Sequence, residues 1–219
     1  MHALFSICSN THSSSSALQT DRYQGGFSLI EIATVMVIIG LLVGGGLMMG
    51  RSLIQGAKVK DLIAIKKDLS GAARLFKQRY KFWPGDLPNA GDDISGVSTE
   101  CDYAPAAQAN IGNGRIDNVV ITGTVTESSC VADHLVQAGM IRGGGDDLAS
   151  RFGAMRVLRR AASSVTTIPD SVEHVVEMDN LPLEVAQELD RILDDDDITT
   201  GFARGSSSAD PVPFYAVPL

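Results

Sequence analysis

Polar residues fill most of the first 25 positions, and then an apolar run opens in which Glu31 is the sole charged side chain between Phe27 and Met49. Those 23 residues would reach about 35 Å as a helix, and the hydrocarbon core of a bilayer is about 30 Å thick. The run therefore predicts a helix long enough to cross a membrane. Past it, apolar residues return every three or four positions at Leu62, Ile65, Leu69, Ala72 or Ala73, Phe76 and Tyr80, while Lys66, Lys67, Arg74 and Lys77 fall off that stripe. The same helix continues as an amphipathic one. It must stop near Trp83-Pro84-Gly85, because proline biases the residue before it away from helix and Pro-Gly favours a turn. A carboxylate inside a membrane segment costs about 2 to 3 kcal/mol, so Glu31 needs a partner, and a free amino terminus is the natural one.

Farther on the pattern is mixed. Asn118 to Thr126 is rich in β-branched residues and reads as a strand; Ser128 or Ser129 then caps a helix running to about Ala138, with Gly139 as its stop. Gly143-Gly144-Gly145 reads as a flexible loop. Met155 to Val165 and Val172 to Met178 are the next strands, the second alternating imperfectly. Pro182 to Leu193 reads as an amphipathic helix through Leu183, Ala186, Leu189 and Leu193, and Phe214 to Val217 as a last short strand.

The junction Gly26-Phe27-Ser28-Leu29-Ile30-Glu31, followed by aliphatic residues through Leu42, resembles the prepilin signature of the type IV pilin and type II secretion pseudopilin superfamily. The resemblance implies cleavage after Gly26 by a prepilin peptidase, methylation of the new Phe27 amine, and pairing of Glu31 with the Phe27 amine of a neighbouring subunit. It implies an α+β fold in which a long amino-terminal helix, half transmembrane and half amphipathic, packs on a small antiparallel sheet. The expected divisions are a leader (1–26), the transmembrane half of the stem (27–50), its amphipathic half (51–83) and a pilin-like head with long loops (84–219). Partners would be the peptidase, other pilin or pseudopilin subunits and an inner-membrane assembly platform. The chain would wait in the bacterial inner membrane with its head in the periplasm, then enter a pilus or pseudopilus. The string Trp83-Pro84-Gly85-Asp86-Leu87-Pro88-Asn89-Ala90 resembles a post-stem segment of prepilin-like proteins of unassigned role, as do Gly112-Asn113-Gly114 and His134 to Ile141. That favours a minor subunit.

Cleavage after Gly26 would leave about 190 of the 219 residues, some 170 of them after the apolar run, enough for one ordinary core. The net charge is −8, and an acidic chain without a basic stripe argues against nucleic acid as a partner. Counting Arg22 before the span against Arg51, Lys58 and Lys60 after it favours a cytoplasmic head; the signature implies the opposite orientation and takes precedence. The leader is long and weakly basic for a prepilin, which suggests a start further downstream. Cys8 lies in the leader, so Cys101 and Cys130 remain as a pair. Outside the cytosol an even count favours a disulfide, with two free buried thiols as the alternative. Closing that loop would add about 3 to 4 kcal/mol. A mid-chain pair departs from related pilins, whose disulfide often lies near the carboxyl end.

Asp194, Asp195, Asp196 and Asp197 end the last predicted helix, where the helix dipole disfavours anions. Four hard oxygen donors could hold calcium, and some pseudopilins order a loop with it; no EF-hand spacing is present, and a solvated acidic turn is the plainer account. No other cofactor is expected. Asn113, Asp117, Asp92 and Asp93 read first as turn residues. His134 and His174 lack zinc-ligand spacing, and no nucleophile elbow, phosphate loop or dinucleotide fingerprint occurs. The expected role is therefore assembly and not catalysis. The rival is a single-pass receptor or binding protein that never enters a filament.

Overall fold

The computed structural model describes residues 26–104, 110–142 and 148–219. The leader before Gly26 and the Gly143 to Gly145 loop lie outside them. The chain divides into two compact units, one ending at Leu47 and one running from Met48 to Leu219. Helix α1 spans Leu29–Tyr80. Within the first unit Leu29–Leu47 is long and apolar enough to cross a membrane, about 28 Å of helix. Gly40 and Gly44 to Gly46 stay helical.

In the second unit α1 buries Leu62, Leu69, Ala72, Ala73 and Phe76 of the stripe predicted from spacing, and Val59 besides, with Ile65 and Tyr80 only half buried. The helix ends three residues before the expected tryptophan. Lys81 takes the left-handed conformation at φ 69° and returns its N–H to the Lys77 carbonyl at 2.9 Å, closing the last turn without a glycine. Lys77 and Arg79 sit where the dipole favours cations. A short helix α2 follows at Ala90–Asp93.

The predicted strand at 118–126 is instead a hairpin, β1 (Val120–Thr122) against β2 (Val125–Thr126). Gly123, at φ 55°, makes the turn that splits it. The cap of helix α3 (Glu127–Gln137) is Thr126, which accepts from the Ser129 N–H while the Ser129 hydroxyl accepts from Thr126 N–H. This reciprocal pair consumes Ser129 as a partner and moves the helix start ahead of both expected serines. Gly139, at φ 69°, stops the helix.

A five-stranded antiparallel sheet follows, from β3 (Leu148–Ala149), β4 (Ala154–Arg159), β5 (His174–Leu181), β6 (Arg204–Gly205) and β7 (Val212–Pro218), in the order β3-β4-β5-β7-β6. β4 is shorter than predicted because a 3-10 turn at Arg160–Ala162 ends it. The imperfect alternation around Val172 to Met178 has a physical cause. Val176 and Met178 join the core shared with α1, while Val175 joins a second cluster with Leu158, Val165, Ile168, Val172 and Ala216. A strand buried on both faces has no polar phase to display. Helix α4 (Leu183–Leu193) begins after Pro182, where proline's missing N–H costs nothing.

Candidate functional site

Three places concentrate chemistry. At the amino end Gly26, Phe27 and Ser28 are exposed, non-helical chain. Ser28 N–H donates to Glu31 Oε2 at 2.8 Å, and Glu31 N–H donates to Ser28 Oγ at 3.2 Å. Two of the four amides that a helix start leaves open are thereby closed by each other's side chains. The pattern Ser-x-x-Glu is visible in the sequence, yet it is easily read only as part of the processing signature. Glu31 therefore has a partner inside its own chain.

The second place is a buried knot in the head. Asp86, fully buried, accepts backbone N–H groups from Gly112 (2.6 Å), Asn113 (3.1 Å) and Gly114 (2.8 Å). Gly112 and Gly114 have φ of 78° and 83°, the left-handed geometry that turns successive amides toward one anion. Gly85, at φ 88°, donates to His134 Nδ1 at 2.9 Å, and His134 Nε2 lies 3.0 Å from the Cys101 carbonyl. That pair of contacts assigns the ring proton to Nε2. Cys101 is bonded to Cys130, with Cα atoms 5.5 Å apart. The buried Glu127 carboxyl accepts the Asp117 N–H, and Asp117 pairs with Arg159 at 2.8 Å and accepts from Asn113 Nδ2 at 3.0 Å. His174 Nε2 accepts from Ile116 N–H at 3.2 Å.

Burial sets the protonation of the knot. It pushes Asp86 up to about 6 against the opposing amides of Gly114, Gly112 and Asn113. It pushes Glu127 up to about 8, with the Asp86 charge adding to the effect, so Glu127 holds its proton at neutral pH. It pulls His134 down and His174 down to about 4, so both rings are neutral. The strings at Pro84 to Asp86, Gly112 to Gly114 and His134, separate in the sequence, meet in one bonded unit. Each was noticeable alone; their convergence was not, because 26 to 49 residues separate the partners.

The third place is the acidic corner after α4. Asp190, fully buried, accepts the Tyr215 hydroxyl at 2.8 Å on Oδ1. Its Oδ2 completes no hydrogen bond among the described residues, although the Asp197 amide eases its charge. Burial raises its pKa, and Asp195 and Asp194 raise it further. Asp190, Asp194 and Asp195 each offer an oxygen within 4.8 Å of the others. Asp194 also accepts N–H groups from Phe202 and Ala203, and Asp195 accepts the Thr200 hydroxyl at 2.7 Å. Asp197 accepts the Thr199 amide and hydroxyl, while Asp196 is exposed at φ 69°. Of the four expected carboxylates, the structure brings two together and adds Asp190. The signal for Asp190 was present: it occupies the apolar stripe of α4 four residues after Ala186 and four before Asp194.

Residues 21–47 match the prokaryotic N-terminal methylation motif. The match takes in the Gly26-Phe27 junction, Glu31 and the apolar helix. The amino-terminal segment thus carries the motif that marks pilin and pseudopilin precursors, joined to a helix long and apolar enough to anchor the chain in a membrane. Neither a curated protein nor a solved structure matches the chain.

Proposed function

We propose that this protein is a subunit, of the minor kind, of a type IV pilus-like filament or a type II secretion pseudopilus. Prepilin peptidase cuts after Gly26, and the Phe27 amine is methylated. The head lies in the periplasm until an assembly platform draws the stem from the inner membrane. Stem packing supplies attraction, and Glu31 supplies register by taking the Phe27 amine of a neighbour, since an unpaired buried carboxylate is costly. The role is assembly, without a catalytic step. The observation that carries this reading is the methylation motif over 21–47, with a single carboxylate at its fifth position after the cut.

The test is mass spectrometry of the amino terminus in membranes from cells with and without prepilin peptidase, together with filament yield. A peptidase-dependent end at methylated Phe27 is expected, and Glu31→Ala is expected to be processed normally but enter filaments at least about tenfold less, the loss of one charged contact. An intact leader in both strains would return the chain to the single-pass receptors.

A second feature supports a bound cation. Asp190 Oδ2 is buried and completes no hydrogen bond among the described residues, and the Asp190 carboxylate offers an oxygen within 4.8 Å of oxygens on Asp194 and Asp195 at a helix carboxyl end. We propose that Asp190, Asp194 and Asp195 take calcium, a hard cation that oxygen donors suit. The thermal midpoint of the full chain in detergent is expected to rise with calcium relative to chelator; an unchanged midpoint overturns this reading.

A further inference from the structure

Beyond residue 47 the exposed large apolar side chains among the described residues are Leu53, Ile54, Leu75, Val120, Ile192, Leu193 and Phe202, each between 38% and 70% exposed. Six of the seven fall in two regions: a strip along the outer face of α1, with Leu53 and Ile54 about 32 Å from Leu75, and a patch of Ile192, Leu193 and Phe202 that flanks the acidic corner. The two patches carry opposite charge. Residues 53–80 contain seven basic side chains against Asp61 and Asp68, whereas the chain as a whole is acidic.

The stem cations are not neutralised from within. Among the described residues no Lys or Arg of 53–80 makes an ion pair with a carboxylate; Asp61 is instead approached by Arg151. Lys58, Lys77 and Arg79 lie over the rings of Phe152, Trp83 and Tyr80, and Arg74 donates to the Leu219 carbonyl at 2.7 Å. Lys60 and Lys67 are exposed and have no such partner among the described residues. They stand seven residues apart in line with Leu53, and a heptad drifts only about 20° around a helix. The corner matches this. Asp195, Asp196 and Asp197 are exposed, make no ion pair among the described residues, and sit where the dipole of α4 is unfavourable to them. A cavity of about 650 Å³ separates Lys66 and Arg74 from Leu193, Asp194 and Phe202 of the same chain. Lys60 and Lys67 do not line it; Lys67 and Leu75 border a different cavity of about 840 Å³, which no residue of the corner lines.

We infer that a second copy of this chain seats its Asp195 to Asp197 corner, with Ile192, Leu193 and Phe202, on the Leu53, Lys60, Lys67 and Leu75 face of α1. Each patch joins apolar area to charge, the combination that gives a contact both adhesion and register. Because the patches are different surfaces, the contact is heterologous: each copy keeps one free patch at either end, and copies add without closing. This inference rests on the filament reading and names the surfaces that reading leaves open.

The test uses the full chain in cells that process it. One tagged copy carries Lys67→Cys and the other Asp196→Cys; Cys101 and Cys130 are already bonded to each other. Oxidation is expected to join the two unlike copies and not two Lys67→Cys copies. With those cysteines kept, Lys60→Glu in the Lys67→Cys copy is expected to lower the cross-linked yield about fivefold, and Asp197→Lys in the Asp196→Cys copy to restore it to within about twofold. A missing cross-link, or reversal without effect, overturns the inference. A missing cross-link together with binding to anionic vesicles that Lys60→Glu and Lys67→Glu abolish would overturn it in favour of lipid. Wild-type filaments with a methylated Phe27 and no cross-link would sink this contact alone; absent filaments would sink the filament reading itself.

Discussion

The knot and the acidic corner both gather carboxylates, and they treat them in opposite ways. In the knot Asp86 is surrounded by donors from the chain, and Glu127 avoids its charge by keeping a proton. In the corner Asp190 is buried to the same degree, and its Oδ2, like Glu127 Oε1 in the knot, completes no hydrogen bond among the described residues. Asp190 differs in having oxygens of two further carboxylates within 4.8 Å, one of them exposed. A buried carboxylate that its own backbone satisfies, or that keeps a proton, is an element of architecture. One grouped with further carboxylates at the surface is open to a cation from outside. The burial is equal; the grouping of the oxygens separates the corner from the knot.

The comparison can be broken most forcefully at Gly85. A Cβ there would lie 2.2 Å from the Glu127 carbonyl oxygen, at a φ that side chains rarely adopt. Gly85→Ala is expected to cost about 3 kcal/mol or more, lowering the thermal midpoint by about 6 to 12 °C for a domain of this size. A midpoint within a degree or two of wild type would show the knot to be slack. No change of that size is expected at Asp196, whose side chain is exposed and makes no hydrogen bond among the described residues.

A pH titration comes next. Glu127 and Asp86 have folded pKa values above their ordinary ones, so their contribution is full at low pH and is lost as pH rises through about 6 for Asp86 and about 8 for Glu127. His134 and His174 are depressed, so their contribution grows as pH rises toward 6.5, His174 beginning from about 4. Acids and imidazoles oppose each other below 6.5. Above it Glu127 dominates, and stability of the head is expected to fall by up to about 2 kcal/mol between pH 6.5 and 8, at one proton or less per molecule. Chemical denaturation across that window measures it, and Glu127→Gln should flatten the slope; an unchanged slope would assign it elsewhere.

The smallest effect belongs to the corner. Calcium at a tenfold excess over its dissociation constant would add about 1.4 kcal/mol, and weaker loading correspondingly less. Asp190→Asn should remove the calcium response while keeping the Tyr215 hydrogen bond. A response that survives it would move the ion away from the buried oxygen.

The amino-terminal signature was readable because its members are contiguous and the membrane tolerates few alternatives to an apolar helix. The core face of α1 was readable for a similar reason, since period and burial coincide. The head resisted where residues act across distance. Asn113 read as a turn residue and Asp86 as one member of a post-stem string, and no local pattern tells a turn from an anion cradle. The hairpin at Val120 to Thr126 was merged into one strand because Gly123 was passed over as a turn. Asp190 was hidden by its position on an apolar stripe, where a carboxylate is most informative and most easily overlooked.

Under the proposed filament role, the reciprocal bonds between Ser28 and Glu31 would bear on how a subunit waits before it is used. A carboxylate engaged by its own amide has an internal competitor: any neighbouring amine must first displace Ser28 N–H. Such a bond is worth about 1 kcal/mol, which lowers affinity for the amine about fivefold. Stored copies crowded in one membrane would thus be held back from pairing at random, and withdrawal of the amine would leave Glu31 a ready return to its own helix. The same two residues would then give the chain a way to remain single and a way to come apart.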